Sequence, residues 1–389
     1  MAGIGIVAEF NPLHKGHEYL LKEAKKHGTV VCVISGNFVQ RGDTAIAEKR
    51  IRALAALKAG ADLVLELPVL WSMSTAQNFA LGAISALKYA GCEKIMFGSE
   101  CGDITTLHKT ADILSSDEFS SLVSKKIESG ITFAAARQSA AEELGAEKGI
   151  LEGANNNLGL EYILAARKIG FNPEFITISR KGAAHDSKEE DVFVSASLLR
   201  EKLLKNDYDF CKKYMSEDIL SLFAEENLSD INQIETAILA ILRSKTQNML
   251  KNLPDLSEGL ENKLFSAISL ATNLEELYNT IKVKRYTKAR IRRLVLSAFI
   301  GTDDSFFMKP LPYLRVLGFN KSGEAFMREN LKRCEVPVIN RIADTEKLNP
   351  LAKSVFETEA KATDLYLLSL QKPQKCGLEY TSKIIKTEN

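Results

Sequence analysis

Gly3-Ile4-Gly5-Ile6-Val7-Ala8-Glu9-Phe10-Asn11-Pro12-Leu13-His14-Lys15-Gly16-His17 begins as a short apolar run and turns abruptly into a polar loop carrying two histidines. The β-branched and small residues of Ile4–Ala8 read as a buried strand, and the pattern over Gly16–Lys26 reads as a helix. The same alternation continues along the chain. Apolar runs recur at Val30–Ile34, Leu63–Leu67, Ile95–Phe97 and Phe175–Ile178, separated by helical patterns over Ala47–Ala59 and Thr75–Ala90 and by a helix-rich insertion. Continuous apolar strands between helices imply a parallel sheet covered on both faces. The expected fold is therefore α/β, a doubly wound parallel sheet of Rossmann-like type.

The polar segments of interest lie at the ends of these runs: Glu9–His17, Ser35–Asp43, Gly98–Gly102 and Arg180–Asp186 follow theirs, and Glu66–Pro68 ends the third. In an open parallel sheet such loops share one edge, where ligands bind. From about residue 201 the strand signal fades into helical patterns, followed by a mixed tail with Pro310, Pro312, Pro337 and Pro350. The expected organisation is a nucleotide-site domain over 1–200 and a mainly helical domain over 201–389 with a small C-terminal α/β element.

Composition excludes several classes. The 389 residues are 45% apolar and 26% charged, with a net charge of +1. No apolar run reaches the roughly 18–20 residues of a membrane span, and no basic, apolar leader precedes the first strand. The expected location is the cytoplasm. Six scattered cysteines without a C-x-x-C pair argue against a zinc ribbon or redox motif.

His14 and His17 stand where a strand gives way to a helix, so their imidazoles and the helix-start N–H groups can face phosphate oxygens. Gly16 would let a flat purine approach the backbone. The competing readings are two histidines that cap the helix or a fortuitous metal pair; His27, His108 and His185 show no grouping that favours the latter. Val194-Ser195-Ala196-Ser197-Leu198-Leu199-Arg200 is a serine-rich turn opening a helix, which by itself reads better as an ordinary N-cap by Ser195 or Ser197 and gains a phosphate role only beside the histidine loop. In Ser35–Asp43, Arg41 suits phosphate or RNA, against a structural turn anchored by Asn37. Lys282–Arg293 holds seven cationic residues in twelve and no acid. Such density reads as a phosphate-tracking surface, with Lys284, Arg285, Lys288, Arg290, Arg292 and Arg293 as RNA contacts and Tyr286 available for stacking. The competing reading is a solvated helix face.

The H-x-G-H loop after a first strand, with the serine-rich turn ending in Arg200, resembles the nucleotidyltransferase superfamily. The fuller set V-A-E-F-N-P-L-H-K-G-H, S-G-N-F-V-Q-R-G, E-L-P, F-G-S-E, N-N-x-L-G-L-E-Y and I-S-R-K-x-A-x-H-D is similar to that of the bacterial tRNA(Met) cytidine acetate ligases. Lys284–Thr287 and Arg315–Phe319 extend the likeness, while Ala154, Asn157 and Ala184 depart from it. The resemblance implies an enzyme that makes acetyl-adenylate from ATP and acetate, then acetylates the wobble cytidine of elongator methionine tRNA.

It also implies residue roles. Val7, Ala8, Glu9, Phe10, Asn11, Pro12, Leu13, His14, Lys15, Gly16, His17, Glu18, Tyr19 and Leu20 would form the main ATP loop, with His14 and His17 catalytic. Gly98, Asn155 and Arg180 would complete the nucleotide site, and Ser197 and Arg200 would clamp the β- and γ-phosphates. Mg²⁺ would come with ATP, since no carboxylate cage for it is evident. Expected partners are the tRNA and acetate, with neither membrane nor DNA. The remaining alternatives are a small-molecule adenylyltransferase and a non-catalytic RNA-binding protein that retains the fold.

Overall fold

The computed structural model describes residues 2–179, 195–256, 259–283 and 286–388. Its strands, in chain order, are β1 (Gly3–Ala8), β2 (Thr29–Ser35), β3 (Phe38–Val39), β4 (Asp43–Thr44), β5 (Leu63–Leu67), β6 (Lys94–Ser99), β7 (Glu174–Ser179), β8 (Leu314–Phe319), β9 (Val338–Ile339) and β10 (Ile385–Lys386). Five of them, in the order β5-β2-β1-β6-β7, run parallel. This is the expected doubly wound sheet. The chain moves outward from β1 through β2 to β5, then returns to the other side of β1 for β6 and β7. The loops after β1 and β6 therefore diverge and leave a crevice at their carboxyl ends.

Both faces of β2 and β5 are buried, which is why their sequences are unbroken apolar runs. On one face Val31, Val33, Leu63 and Leu65 pack with residues of helices Ala76–Ala90 and Ala154–Lys168. On the other, Ile4, Ile6, Val30, Cys32, Ile34 and Val64 pack with residues of helices Lys15–Lys25 and Lys49–Lys58.

The expected division at residue 200 places in the second half several segments whose side chains belong to this same core. Leu199, Leu203, Phe223 and Leu228 pack with Ile4 and Ile34. Nor does the C-terminal α/β element stand apart: β8 pairs antiparallel with β5, and β9 and β10 pair with β8. The middle of the chain has a helical core of its own, with Ile238, Leu242, Leu264, Leu277 and Leu294, and it reaches the sheet edge through Phe38, Val69 and Met73.

The joint between β5, β8 and the C-terminal helices is ionic. Lys49 meets Glu66 of β5, Glu359 at 2.8 Å and Glu379 at 2.6 Å, all essentially unexposed. Arg315 of β8 pairs with Glu379 and lies 3.6 Å from Glu66. Buried charges are tolerated only when paired in this way.

Candidate active site

The loop after β1 is held from several sides. Phe10 adopts φ +47°, a left-handed conformation that costs a bulky residue and is retained only where its surroundings impose it. The Asn11–Pro12 bond is cis. Asn11 accepts the Ile46 N–H through Oδ1 at 2.8 Å, and its carbonyl accepts from Arg200 Nη1 at 2.9 Å. Arg52, wholly buried, donates to Ala47 O at 2.9 Å, to Glu9 O at 2.7 Å and to Gly36 O. One guanidinium thus fixes the spacing between the loops that follow β1 and β2.

His14 is the N-cap of helix Lys15–Lys25. Its Nδ1 accepts the Gly16 N–H at 3.1 Å, and His17 Nδ1 accepts the His14 N–H at 3.4 Å. The capping reading is therefore correct as far as it goes. It also sets the tautomer: with Nδ1 accepting, the ring proton lies on Nε2, and each ring can donate from that nitrogen. The rings stack with centroids 3.9 Å apart, and the edge of Phe10 meets His17 at 5.2 Å.

Gly16 has a structural role, and one expectation, that of free helix-start amides, needs correction. A Cβ at Gly16 would lie 3.0 Å from the His14 ring, so the glycine makes room for that ring. The helix-start amides are engaged within the protein: Lys15 N donates to Tyr214 O at 2.8 Å, and Gly16 N and His17 N both turn back to His14. Segment 208–216 docks on the helix start, where Ser216 also donates to Glu18 Oε1.

Across the crevice, Glu100 ties the end of β6 to the start of helix Ala154–Lys168. It accepts from Asn155 N at 3.0 Å, from Asn155 Nδ2 at 2.6 Å and from Asn156 N at 2.6 Å. Asn156 returns the contact by accepting Glu100 N and Cys101 N. The helix-start amides hold the Glu100 carboxyl below its usual range even though burial opposes this. Gly98 pairs with Ile178 on β7 beside this latch. The departure at Asn157 is absorbed locally, since its amide caps Leu151 O and Gly153 O.

Ser195 is the N-cap of helix Ala196–Leu204, accepting Leu198 N at 3.2 Å, whereas exposed Ser197 accepts from Arg200 Nη2 at 3.1 Å. Arg200 thus bridges the serine turn and the β1 loop. Arg180, Lys284 and Arg285 lie outside the described residues, as does Ala184.

The described part of the basic run is mostly partnered. Lys288 pairs with Glu275 at 3.0 Å, Arg290 and Arg293 pair with Asp255 at 3.2 and 2.8 Å, and Arg292 lies 3.9 Å from Asp43. The acids absent from the run come from elsewhere in the chain. Arg290 stacks over Tyr286, with its guanidinium carbon 4.8 Å from the ring centroid.

Arg52 and Glu100 were not singled out from the sequence. A motif signal existed for Glu100 in F-G-S-E. For Arg52 there was none, because its partners are backbone carbonyls far away in sequence. Among the described residues, no group of three or more His, Cys, Asp or Glu side chains is placed to hold a metal ion, and no helix is long and apolar enough to cross a membrane.

Residues 1–380 match the HIGH Nucleotidyl Transferase family. A tRNA(Met) cytidine acetate ligase of Thermoanaerobacter sp. (strain X514) is 38% identical over 405 residues, covering 99% of this chain and 100% of the relative. The enzyme of the same name from Caldanaerobacter subterraneus subsp. tengcongensis is also 38% identical, over 408 residues. The crystal structure of Thermotoga maritima TmcAL bound with α-thio ATP superposes with a TM-score of 0.90 at 28% identity, covering all of both chains. Its apo form gives 0.89 at 29%. With its motifs in order along the whole length and its histidine loop at the sheet's switch point, the chain belongs to the tRNA(Met) cytidine acetate ligase family of HIGH nucleotidyl transferases.

Proposed function

We propose that the chain joins acetate to the exocyclic N4 amine of the wobble cytidine in elongator tRNA(Met), at the expense of ATP. In the first step an acetate oxygen attacks the α-phosphorus in line, and pyrophosphate leaves. In the second, the cytidine amine attacks the acetyl carbon, AMP leaves and the amine gives up a proton. Acetate must be activated first because an aromatic amine is a weak nucleophile and a carboxylate oxygen a poor leaving group.

The observation that carries this reading is the convergence on one loop of stacked His14 and His17, which can donate from Nε2, and Arg200, held on Asn11 O. Fixed donors of this kind stabilise charge developing on phosphate oxygens without reorganising. ATP would occupy the Val7–Leu20 loop, with Gly98, Asn155 and Arg180 around the nucleoside and Ser197 and Arg200 on the outer phosphates. Magnesium would arrive with the nucleotide. Elongator tRNA(Met) and acetate are the partners in this reading, rather than DNA, and the cytoplasm is the site of action.

The test is incubation with ATP, labelled acetate and total tRNA, followed by digestion to nucleosides. Labelled acetylcytidine supports the ligase. An adenylylated small molecule with unlabelled tRNA would replace it with the transferase reading.

A further inference from the structure

The basic run was expected to meet RNA directly, yet its described arginines are largely spent on the protein, and what they brace is the β3–β4 hairpin. Phe38 pairs with Thr44 and Val39 with Asp43, leaving Gln40-Arg41-Gly42 as a three-residue turn closed by Gly42 N donating to Val39 O at 3.0 Å. Gly42 takes φ +71°, as such a turn requires. A Cβ there would lie 2.5 Å from Arg293 N, so the hairpin is pressed against the backbone of helix Lys288–Ile300.

Gln40 is held on three sides: its N–H on Glu9 Oε1 at 2.9 Å, its carbonyl by Arg293 Nη1 at 3.2 Å and its side-chain amide on Ser74 O at 3.2 Å. Asn37, at the base, accepts Lys49 N and donates to Thr363. The turn is thus pinned to the catalytic loop on one side and to the helical region on the other. At its tip stands exposed Arg41, for which no hydrogen bond or ion pair to the chain is formed among the described residues. Arg52, Arg200, Arg290, Arg292 and Arg293 around it each have partners.

We infer that Arg41 binds a backbone phosphate of the RNA strand beside the target cytidine, with the hairpin acting as a rigid mount between the tRNA-bearing helical region and the acetyl-adenylate. The inference rests on the proposed function. Sheet order favours RNA over the nucleotide as the source of the phosphate, and because Gln40 also bonds Glu9 of the ATP loop, the exchange assay below separates the two. The nucleoside residues Gly98 and Asn155 follow β6, on one side of β1, whereas the hairpin follows β2, on the other. A cation on a pinned turn loses little freedom on binding, and a guanidinium matches phosphate in a bidentate manner.

The test compares wild type with Arg41→Ala and Arg41→Lys. Arg41 is exposed, so both variants should fold; thermal melting checks this. Acetate-dependent ATP–pyrophosphate exchange, which needs no RNA, should stay within about twofold. Acetylation of tRNA(Met) by Arg41→Ala should lose roughly tenfold in kcat/KM, and the slope of log affinity against log salt should fall by about 1, with Arg41→Lys keeping the slope. Loss of exchange with an unchanged salt slope would assign Arg41 to ATP and overturn the inference. No change in either measurement would reduce Arg41 to a turn residue and overturn it as well. If wild type makes no acetylcytidine, the proposed activity falls, and the salt slope of tRNA binding alone decides the role of Arg41.

Discussion

At the scale of single residues, the site is built by side chains that shape backbone. His14 caps a helix and, in the proposed mechanism, also donates to phosphate, because the bond that fixes Nδ1 leaves the proton on Nε2. Gly16→Ala puts a methyl group 3.0 Å from that ring. The expected outcome is a drop of about 10- to 100-fold in acetyl-adenylate formation, with a melting midpoint close to wild type, measured by pyrophosphate exchange and calorimetry. Arg52 sits deeper, where its guanidinium serves three carbonyls. Arg52→Met strands those acceptors in a dry site. The variant should lose about 3 kcal/mol or more in urea unfolding, a few times the cost of an average substitution. A loss below 1 kcal/mol would mean that the loops hold their spacing without it.

The two residues also mark how far the sequence could be read. His14 announces itself by type, spacing and position after a strand. Arg52 lies in an ordinary helical stretch, and nothing local distinguishes a buried arginine from a solvated one. The same physics hid the fate of Lys282–Arg293. The excess of cations was visible, but Glu275, Asp255 and Asp43, which neutralise it, approach only in the folded chain.

At the scale of elements, the five parallel strands were legible because burial on both faces writes a continuous apolar run. Strand β8 was not, since Leu-Arg-Val-Leu-Gly-Phe interrupts that pattern with a charge whose partners, Glu66 and Glu379, are remote. The cluster that receives Arg315 has a pH signature. Burial pushes the Glu359 carboxyl up to about 7 from its ordinary 4.5 against the pull of Lys49, and Glu66 and Glu379 push it the same way. A carboxyl with a raised folded pKa binds more protons folded than unfolded, so its contribution to stability is present below about 4.5 and is lost as pH rises through about 7. Chemical denaturation of wild type and Glu359→Gln between pH 4.5 and 8 should show wild type losing stability relative to the variant across that window. A constant difference would mean that the pKa of the Glu359 carboxyl is not raised in the folded chain.

At the scale of the whole molecule, the chain uses its second half twice. Residues 195–228 and the strands from β8 onward complete the first half's sheet and core, while the intervening helices form a separate core that meets the sheet edge at Phe38, Val69 and Met73. That meeting line lies at the carboxyl ends of the strands, where the proposed function requires an RNA held on the helical unit to meet the loop after β1. Sequence patterning distinguished the two kinds of core but placed their boundary by order along the chain, which a returning strand does not respect.

The most direct measurement is nucleoside analysis of total tRNA after incubation with the protein, ATP and labelled acetate, run beside His14→Ala and His17→Ala. Labelled acetylcytidine confined to tRNA(Met), dependent on ATP and reduced at least a hundredfold in both variants, is the expected result. Full labelling by either variant, or ATP turnover without label in tRNA, would contradict the assignment of acetyl-adenylate chemistry to the histidine loop.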